Sequence, residues 1–432
     1  MKPGTSIGIV GSGIAGMACA HLLHREHDVR LYEANAYVGG HTNTIMVEED
    51  GARIPVDTGF MVYNEVTYPN LVRLFAGLGV ATMNTSMSFS VQHVPSGLEY
   101  SGSSLNHLFA QRRNLLSPRF IGMLMQIRRF NAEAPEVLEG GQYASHTLEE
   151  YVREKGYGSD MLMKYLVPMS SAVWSTPPDR MLRFPVVTLV RFFKNHGFLG
   201  LHAQHQWKTV VGGSRMYRDA LIAPFRSRIS TGNPAVKVLR DTMGAEIRFA
   251  DGSRARHDVV ILACHADEAL ALLDPPAPQE RRVLGQFSYQ PNRATLHTDG
   301  TVMPRTPLAW SSWNYRVDLD RTGEPVASTV YYMNSLQQVS RKRDYFVSIS
   351  DPGLVDPASV LAVIDYRHPL FSLGAIEAQR ELPALNREGP VYFCGSYFRY
   401  GFHEDALTSA VDLCRSLEER RTRATAAEAA AA

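Results

Sequence analysis

The sequence predicts an α/β protein with two domains, and three observations lead to that prediction. The chain has 432 residues, a length typical of two to three folding units. A strand, a glycine-rich turn and a helix follow one another from residue 7. Strand patterns then return after a long helical stretch, which indicates that a second unit interrupts the first.

The first element is a β-α-β unit, predicted as a strand over Ile7–Val10, a helix over Ile14–His24 and a second strand over Val29–Glu33. The turn between strand and helix reads Gly11, Ser12, Gly13, Ile14, Ala15 and Gly16. In such a turn the first glycine allows the tight bend, the second lets the backbone approach a pyrophosphate, and the third allows close helix packing. The pattern predicts a Rossmann-type unit that binds a dinucleotide.

Two further features favour FAD as the dinucleotide. Glu33 ends the second strand, where a carboxylate binds the ribose hydroxyls of an adenosine and repels a 2′-phosphate, so NADP is not expected. Gly39 and Gly40 follow it and suit a long molecule that lies extended across the fold. Near the other end, Gly395 follows a buried strand and leads into a helix whose dipole would stabilise negative charge on a reduced flavin.

The rest of the chain supplies a hairpin, a helical insertion and a mixed sheet. The predicted elements are a hairpin around Asp50-Gly51, helices over 104–196, strands over 235–239, 245–249 and 259–263, an antiparallel sheet over 288–367, and a strand over 391–394. We assign 1–80, 205–285 and 385–420 to a discontinuous FAD-binding domain. We assign 81–204 and 286–384 to a mixed-sheet substrate domain that includes the helical insertion, and 421–432 to a mobile tail.

The composition limits the functions open to the chain. The 44 Lys and Arg nearly balance the 43 Asp and Glu, and the net charge of +1 gives no reason to expect a nucleic-acid partner. The four cysteines are far apart and form no C-x-x-C pair, which argues against a disulfide framework or a cysteine-based zinc site. The apolar stretch over 7–23 is interrupted by glycines and His21, so we expect no signal segment, no spanning helix and a cytoplasmic location.

Several long blocks of the sequence resemble a known family. They read GSGIAG, EANAYVGGHTNT, PVDTGFMVYNEVTYPNL, VRFFKNHG, QWKTVVGGSR, LHTD and YFCGSYFRYGFHEDAL. Over about residues 5–415 the chain resembles FAD-binding proteins of the flavin amine oxidase and phytoene desaturase superfamily. More narrowly, it resembles the branch often encoded beside cyclopropane-fatty-acid-synthase-like methyltransferases.

The resemblance implies an amine oxidase-like two-domain fold and FAD that is bound non-covalently or, less often, covalently. Together with the motifs it gives these cofactor-binding candidates: Gly11, Ser12, Gly13, Ile14, Ala15, Gly16, Glu33, Ala34, Gly39, Gly40, His41, Thr42, Gly59, Phe60, Val236, Gly395, Ser396, His403, Glu404 and Asp405. Val236 is expected against the adenine. Cys394 is interpreted as a small buried strand residue and not as a site of flavin attachment.

The expected chemistry is removal of hydride from a carbon chain. Better-known amine oxidases carry a lysine near flavin N5, and this chain has no lysine between Lys237 and Lys342, which weakens an amine oxidase interpretation. By resemblance, the expected substrate is a methylated fatty acyl chain, free or in a phospholipid, that becomes desaturated. An amine oxidase, a flavin-dependent double-bond isomerase and a flavin-bearing binding protein stay open as alternatives.

The catalytic residues are not identified by any motif, and the candidates are Tyr331, Tyr332 and His368. The two tyrosines, with Trp310 and Trp313, either wall an apolar cavity or belong to a plain core. The histidines in the motif blocks have no ligand spacing, so no metal site is expected.

A group of arginines lies in the predicted helical insertion, among leucine, methionine and phenylalanine residues. The group consists of Arg112, Arg113, Arg119, Arg128 and Arg129. It is either a solvated helix face or a surface that meets anionic lipid at the inner face of the membrane. The resemblance adds a methyltransferase as a candidate partner.

Overall fold

The computed structural model describes the backbone of residues 1–200 and 205–431, and the side chains of residues 1–200 and 205–420. At its centre is a parallel sheet assembled from distant parts of the chain. Its strands are β1 (Ser6–Val10), β2 (Asp28–Tyr32), β10 (Ile229–Ser230), β14 (Val259–Leu262) and β20 (Val391–Phe393), in the spatial order β10-β2-β1-β14-β20. The fold class that the sequence predicts, α/β with a discontinuous Rossmann-type unit, is confirmed.

Both faces of the parallel sheet are covered. Helices α1 (Ile14–Leu23) and α16 (His403–Ala431) pack together on one face over Ile7 and Ile9. The other face meets an antiparallel sheet of β11 (Ala235–Asp241), β12 (Gly244–Phe249) and β13 (Arg254–His257). The helices on that side are α11 (Ala266–Leu272), α12 (Pro278–Leu284), α14 (Leu373–Gln379) and α15 (Leu382–Leu385). Burial on both faces explains the uninterrupted apolar run over 259–262.

A seven-stranded mixed sheet forms the second part of the molecule. Its strands are β7 (Phe89–His93), β8 (Leu98–Ser101), β15 (Ser288–His297), β16 (Trp313–Leu319), β17 (Pro325–Tyr332), β18 (Phe346–Ile349) and β19 (Val360–Leu370), in the order β19-β15-β18-β17-β16-β7-β8. The short helix α13 (Met333–Gln337) follows β17. The sheet is larger than the sequence predicts, because the upstream strand β7 pairs in parallel with β16 and no local pattern announces that pairing.

Smaller elements connect the two sheets. They are the hairpin β3 (Thr44–Glu49) and β4 (Ala52–Asp57), the strands β5 (Tyr63–Asn64), β6 (Thr82–Thr85) and β9 (Trp207–Val210), and the helices α2 (Pro69–Leu78) and α10 (Arg215–Ile222). Asp50 and Gly51 both have left-handed φ angles, +49° and +79°. A two-residue turn of this kind matches the twist of the flanking strands, as the Asp-Gly pair predicts.

The stretch that the periodicity marks as helical contains seven α-helices and its own apolar core. The helices are α3 (Leu105–Leu108), α4 (Pro118–Glu133), α5 (Leu148–Glu154), α6 (Ser159–Met161), α7 (Val167–Trp174), α8 (Pro178–Leu182) and α9 (Val186–Asn195). Phe130, Tyr151, Phe184 and Phe193 are fully buried in that core. Nowhere in the described ranges is a helix both long and apolar enough to cross a membrane.

The Ala-rich end of the chain is helical where it is described. Helix α16 continues to Ala431, which fits the high helix propensity of alanine. Residue 432 lies outside the described residues. The mobility expected for 421–432 stays a prediction.

The pH dependence of stability can be tested at His297 on β15. Its side chain is fully buried, its Nε2 contacts the Ser348 hydroxyl at 2.8 Å, and its Nδ1 accepts from the Asp299 amide. Burial lowers the pKa of His297 to about 4. The unfolded chain therefore binds a proton near pH 6.5 that the folded protein does not, and stability falls as the pH drops below that value, by about 2 kcal/mol for this group at pH 5.

We expect His297→Gln to be less stable than the parent protein at pH 8 but to lose about 2 kcal/mol less on acidification to pH 5. Thermal unfolding of both proteins at the two pH values measures the difference. Equal losses on acidification would contradict the assignment.

Candidate cofactor and substrate site

A cavity of about 790 Å³ lies where the carboxyl ends of the parallel strands meet the seven-stranded sheet. The candidates that line it are Gly11, Ser12, Gly13, Ile14, Ala15, Glu33, Ala34, Gly39, Gly40, His41, Gly59, Phe60, Val236, Tyr331, His368, Gly395, Ser396 and His403. The structure thus brings together residues that span almost the whole chain. Ligands bind at this edge in open α/β sheets.

The glycine turn after β1 has the geometry that the motif predicts. Gly11 has a φ of +100°, and a Cβ atom there would lie 2.8 Å from the carbonyl oxygen of Ala263. A Cβ at Gly16 would lie 1.9 Å from the carbonyl oxygen of Gly11, so α1 can approach β1 only with glycine at this position. A Cβ at Gly13 would meet no atom within 4 Å and would project into free space beside the backbone. That space is where the motif places a pyrophosphate.

Glu33 ties the glycine turn to the next segment of the chain. Its Oε2 accepts from the Ser12 amide at 3.0 Å and from the Ser12 hydroxyl at 2.5 Å. Its Oε1 accepts from the backbone and side-chain nitrogens of Asn35 at 2.8 and 3.0 Å. The carboxylate is buried but borders the cavity. The structure therefore gives Glu33 a positioning role, and its contact with a ribose stays a prediction.

The Gly39-Gly40 pair packs directly on the glycine turn. The Gly39 amide donates to the Ser12 hydroxyl at 3.1 Å, and a Cβ at Gly40 would lie 3.3 Å from the Gly13 Cα. His41 follows, with its ring stacked on Tyr366 at 4.6 Å. Its Nε2 is buried without a hydrogen-bond partner, and burial holds its pKa well below the usual value. A buried ring nitrogen without a partner on the wall of a cavity indicates a bound group.

The start of α16 reaches the same cavity through His403. The ring stacks on Phe60 at 4.0 Å, and its Nε2 contacts the Tyr217 hydroxyl at 2.6 Å. The Tyr217 hydroxyl also bonds to Thr42, and burial lowers the pKa of His403 to about 3. The neutral ring is therefore a fixed part of the wall. Thr42 lies behind this wall and supports it.

The carboxyl groups of Glu404 and Asp405 do not line the cavity, and a role of these two residues in holding the cofactor stays a prediction. The Glu404 carboxylate accepts from the Asn70 and Leu71 amides at 2.8 and 3.0 Å, at the start of α2. Asp405 accepts from the Phe402 amide at 2.9 Å. Burial raises the pKa of both carboxyls, that of Asp405 to about 7. They turn away from the cavity because unpaired amides at the start of a helix bind carboxylates.

His368 stands on the cavity wall with its tautomer set by its neighbours. The Asn292 side-chain nitrogen donates to the Ser175 carbonyl at 2.9 Å, while its oxygen accepts from the Ser350 hydroxyl at 2.9 Å. These bonds fix the amide, so its nitrogen also donates to His368 Nδ1, 2.7 Å away. Burial lowers the pKa of His368 to about 4. The neutral ring therefore keeps its proton on Nε2 and offers a donor, not a base.

Tyr331 and Tyr332 face opposite sides of the sheet because successive residues of a strand alternate. Tyr331 lines the cavity with Trp313, as predicted for a cavity wall. Tyr332 does not: its hydroxyl donates to Asp344 at 2.7 Å, and its ring stacks on Phe346. Trp310 packs beside it, also away from the cavity. Tyr332 thus does not line this cavity.

The two ends of the cavity differ in chemistry. Beside the nucleotide motifs lie its four charged residues among those described, Glu33, Glu268, Asp365 and Arg367. Arg367 pairs with Asp267 and Glu268, and Asp365 pairs with Arg293. Tyr331 and Trp313 line the other end. The other residues that line this end are Met61, Val62, Tyr68, Met87, Val173, Trp174, Ser175, Phe192, Phe198, Trp207 and Phe402.

Sequence reasoning missed most of this apolar end. Trp174 and Phe192 lie in the helical stretch, and no local pattern links that stretch to the cavity. Trp207 lies in QWKTVVGGSR, one of the blocks that carry the family resemblance, so a signal existed there.

The remaining predictions about cysteines and metals concern the surroundings of the cavity. Cys394 is fully buried behind Gly395, with its Sγ 3.8 Å from that of Cys19. It does not line the cavity, and non-covalent attachment of the cofactor stays a prediction. Among residues with described side chains, no group of three His, Cys, Asp or Glu could hold a metal ion.

These residues fit FAD. The open space at Gly13 and the glycine approach at Gly40 suit a pyrophosphate, and Val236 lies at a bulge on the wall where an adenine is expected. The orphan Nε2 of His41 provides a free hydrogen-bonding group.

A substitution at Gly13 tests whether the free space beside this residue holds the pyrophosphate. Gly13→Asp adds a side chain and a charge in the free space, so we expect the protein to fold but to lose its yellow colour and its bound FAD. The apoprotein should keep its stability within about 0.5 kcal/mol, because no atom obstructs the new Cβ. The matched control is Gly77→Asp on the exposed face of α2, where the new Cβ also meets no atom. Retention of FAD by Gly13→Asp, measured by absorbance of the purified protein, would contradict this placement.

Comparisons with known proteins agree with the site. The family model described as flavin containing amine oxidoreductase matches residues 14–333. Cyclohexylamine oxidase from Brevibacterium oxydans IH-35A is 16% identical, with 96% of this chain and 100% of that chain covered and a TM-score of 0.68. Putrescine oxidase bound to putrescine is 14% identical, with 97% and 99% covered and a TM-score of 0.65.

A CLA-producing fatty acid isomerase from P. acnes is 13% identical, with 95% of this chain and 98% of that chain covered and a TM-score of 0.68. No curated protein matches the sequence. At these identities the solved structures establish the fold, whereas the family model covers most of the chain. The chain therefore belongs to the flavin containing amine oxidoreductase family and is an FAD-dependent oxidoreductase.

Proposed function

We propose that this oxidoreductase removes hydride from an apolar carbon chain, and that its substrate is a fatty acyl chain that gains a double bond. The observation that carries the proposal is the apolar end of the cavity. Its described lining residues are aromatic and aliphatic apart from Ser175, and none is charged. An alkyl chain gains free energy when it leaves water for such a surface.

An amine substrate would need different surroundings. An ammonium ion loses its hydration in a closed pocket, and a carboxylate or a set of acceptors must replace that water. The charged residues that line the cavity stand at the nucleotide end, where Asp365 and Arg367 already have ion-pair partners. Aromatic rings alone give a weaker cation site. The chain also has no lysine between Lys237 and Lys342.

Bound FAD would supply the acceptor for the hydride, and the proton that the neighbouring carbon loses as the double bond forms would pass to solvent at the mouth of the cavity. The protein contributes a dry slot and orientation, because water in the slot would displace the chain and weaken every electrostatic interaction there. Tyr331 and Trp313 would press on one side of the chain, and Trp174 and Phe192 on another. His368 would offer its Nε2 proton as a hydrogen-bond donor, with Asn292 as its positioning residue.

The family resemblance supports a methylated acyl chain, and with it a methyltransferase that works before this enzyme. Cells that express both proteins should accumulate a fatty acid two mass units lighter than the methylated precursor. Mass spectrometry of extracted lipids measures it. An unchanged mass with a shifted double bond would favour the isomerase alternative, and anaerobic reduction of the flavin by putrescine or cyclohexylamine would favour the amine oxidase.

The adjacent tyrosines provide a matched pair of variants. Tyr331→Ala removes an aromatic ring from the wall of the slot. We therefore expect the amount of desaturated fatty acid to fall on the order of tenfold or more while FAD content stays unchanged. Tyr332→Ala removes a ring of the same size from the opposite face of β17 and should leave the product unchanged. An equal effect of the two changes would show that the slot is not the substrate site.

A further inference from the structure

One region of the surface carries exposed apolar side chains and arginines together. We call it the α4 patch, and define it by Leu105, Leu115, Leu116, Ile121, Met125, Arg112, Arg113, Arg119 and Arg128. Leu116 is 89% exposed, Leu105 76% and Met125 59%. Large apolar side chains this exposed are uncommon on a surface that faces only water.

The residues of the patch belong to one continuous stretch of structure. The guanidinium of Arg112 donates to the Asn106 side chain at 2.6 Å and to the Phe109 carbonyl at 2.9 Å, which holds α3 against the turn at 112–116. Helix α4 then begins at Pro118, and Ile121, Met125 and Arg128 follow at spacings of four and three. These spacings place the three side chains along one side of the helix.

The exposed apolar residues do not serve the core of the helical region. Helix α4 buries Phe120, Met123 and Phe130 against that core. Ile121 and Met125 stand on the outer side, so α4 is apolar on a face that folding does not require.

The positive charge of the patch is only partly neutralised. Arg112 and Arg113 bond to amide and carbonyl oxygens, not to carboxylates. Arg128 is exposed, and the salt bridges within the described part of the chain involve its neighbour Arg129 but not Arg128. Arg119 pairs with Asp160, but that carboxylate also pairs with Lys164 at 2.8 Å.

We propose that the α4 patch docks on an anionic lipid bilayer. Leu115 and Leu116 would enter the boundary between headgroups and acyl chains, and the arginines would bind lipid phosphates around them. An apolar face with an arginine rim is the combination that an interfacial helix requires. The proposal goes beyond the acyl-chain function and does not depend on it.

The charge of the patch argues against a second copy of this chain as its occupant. A two-fold interface would bring the same arginines face to face, and like charges across an interface oppose association. An anionic bilayer instead supplies complementary charge and an apolar interior at the same surface.

The test is sedimentation of the FAD-loaded protein with vesicles of phosphatidylglycerol and phosphatidylcholine, or of phosphatidylcholine alone. We expect binding to the anionic vesicles at low salt, weaker binding at high salt and little binding to the neutral ones. Each arginine near the surface contributes about fivefold, so Arg112→Gln with Arg128→Gln should lower partitioning about 25-fold. The double variant Leu115→Ser with Leu116→Ser should also lower partitioning into the vesicles, by the same factor at low and at high salt.

Controls come from exposed residues on other elements. The double variant Arg254→Gln with Arg321→Gln is the control for the arginine variant, and Met243→Ser is the control for the leucine variant. Both should leave vesicle binding unchanged. Flavin absorbance and turnover of detergent-dispersed substrate report whether each variant keeps the site, so failure here is distinguishable from failure of the acyl-chain proposal.

Three results would overturn the docking proposal. The first is absence of binding to anionic vesicles at low salt. The second is equal loss of binding in the control variants. The third is a dimer in solution, or a complex with another protein, that the leucine variants dissociate while vesicle binding persists.

Discussion

The close approach of α1 to the ends of β1 and β14 is the constraint on which the site depends. A Cβ at Gly16 would overlap the Gly11 carbonyl, and a Cβ at Gly11 would crowd the Ala263 backbone. With glycine at both positions, the start of α1 points its free amides at the cavity. Ser12 then bonds to Glu33 and accepts from Gly39, so one turn fixes the three segments that form the nucleotide end.

From that turn the rest of the cavity follows by topology. Parallel strands end at one edge of a sheet, so Gly395 after β20 and Ala263 after β14 come to lie beside Gly11 although the chain separates them widely. The seven-stranded sheet closes the opposite side with Tyr331 and Trp313. The site is therefore shared between two sheets, neither of which forms it alone.

Local signals predicted the nucleotide end well and the apolar end poorly, and the physical reason is sequence distance. The turn at Gly11, the strand that ends before Glu33 and the Asp50-Gly51 hairpin depend on residues a few positions apart, and each was visible in the sequence. The contact of Phe192 with the cavity depends on how α9 packs, which no short pattern encodes. The contact of the Glu404 carboxylate with the Asn70 and Leu71 amides was not visible either, because these partners lie more than 330 positions away.

Because the charged and the apolar residues of the cavity lie at different ends, the dinucleotide and an apolar chain would bind at opposite ends of it. Polar groups that bind a dinucleotide must be ordered and paired, and here Glu33 and Arg367 are held by neighbours at the nucleotide end. A chain that enters the apolar end meets no described charge that would retain water, so its position is set by shape alone. Shape selects length and branching weakly, by about 1–3 kcal/mol for each methylene, whereas buried hydrogen-bonding groups of the protein discriminate between polar head groups far more strongly. If the substrate is an acyl chain, as proposed, selectivity would come from where its head group stops, and recognition would then depend on polar side chains that line the cavity, among them His368 and Ser175.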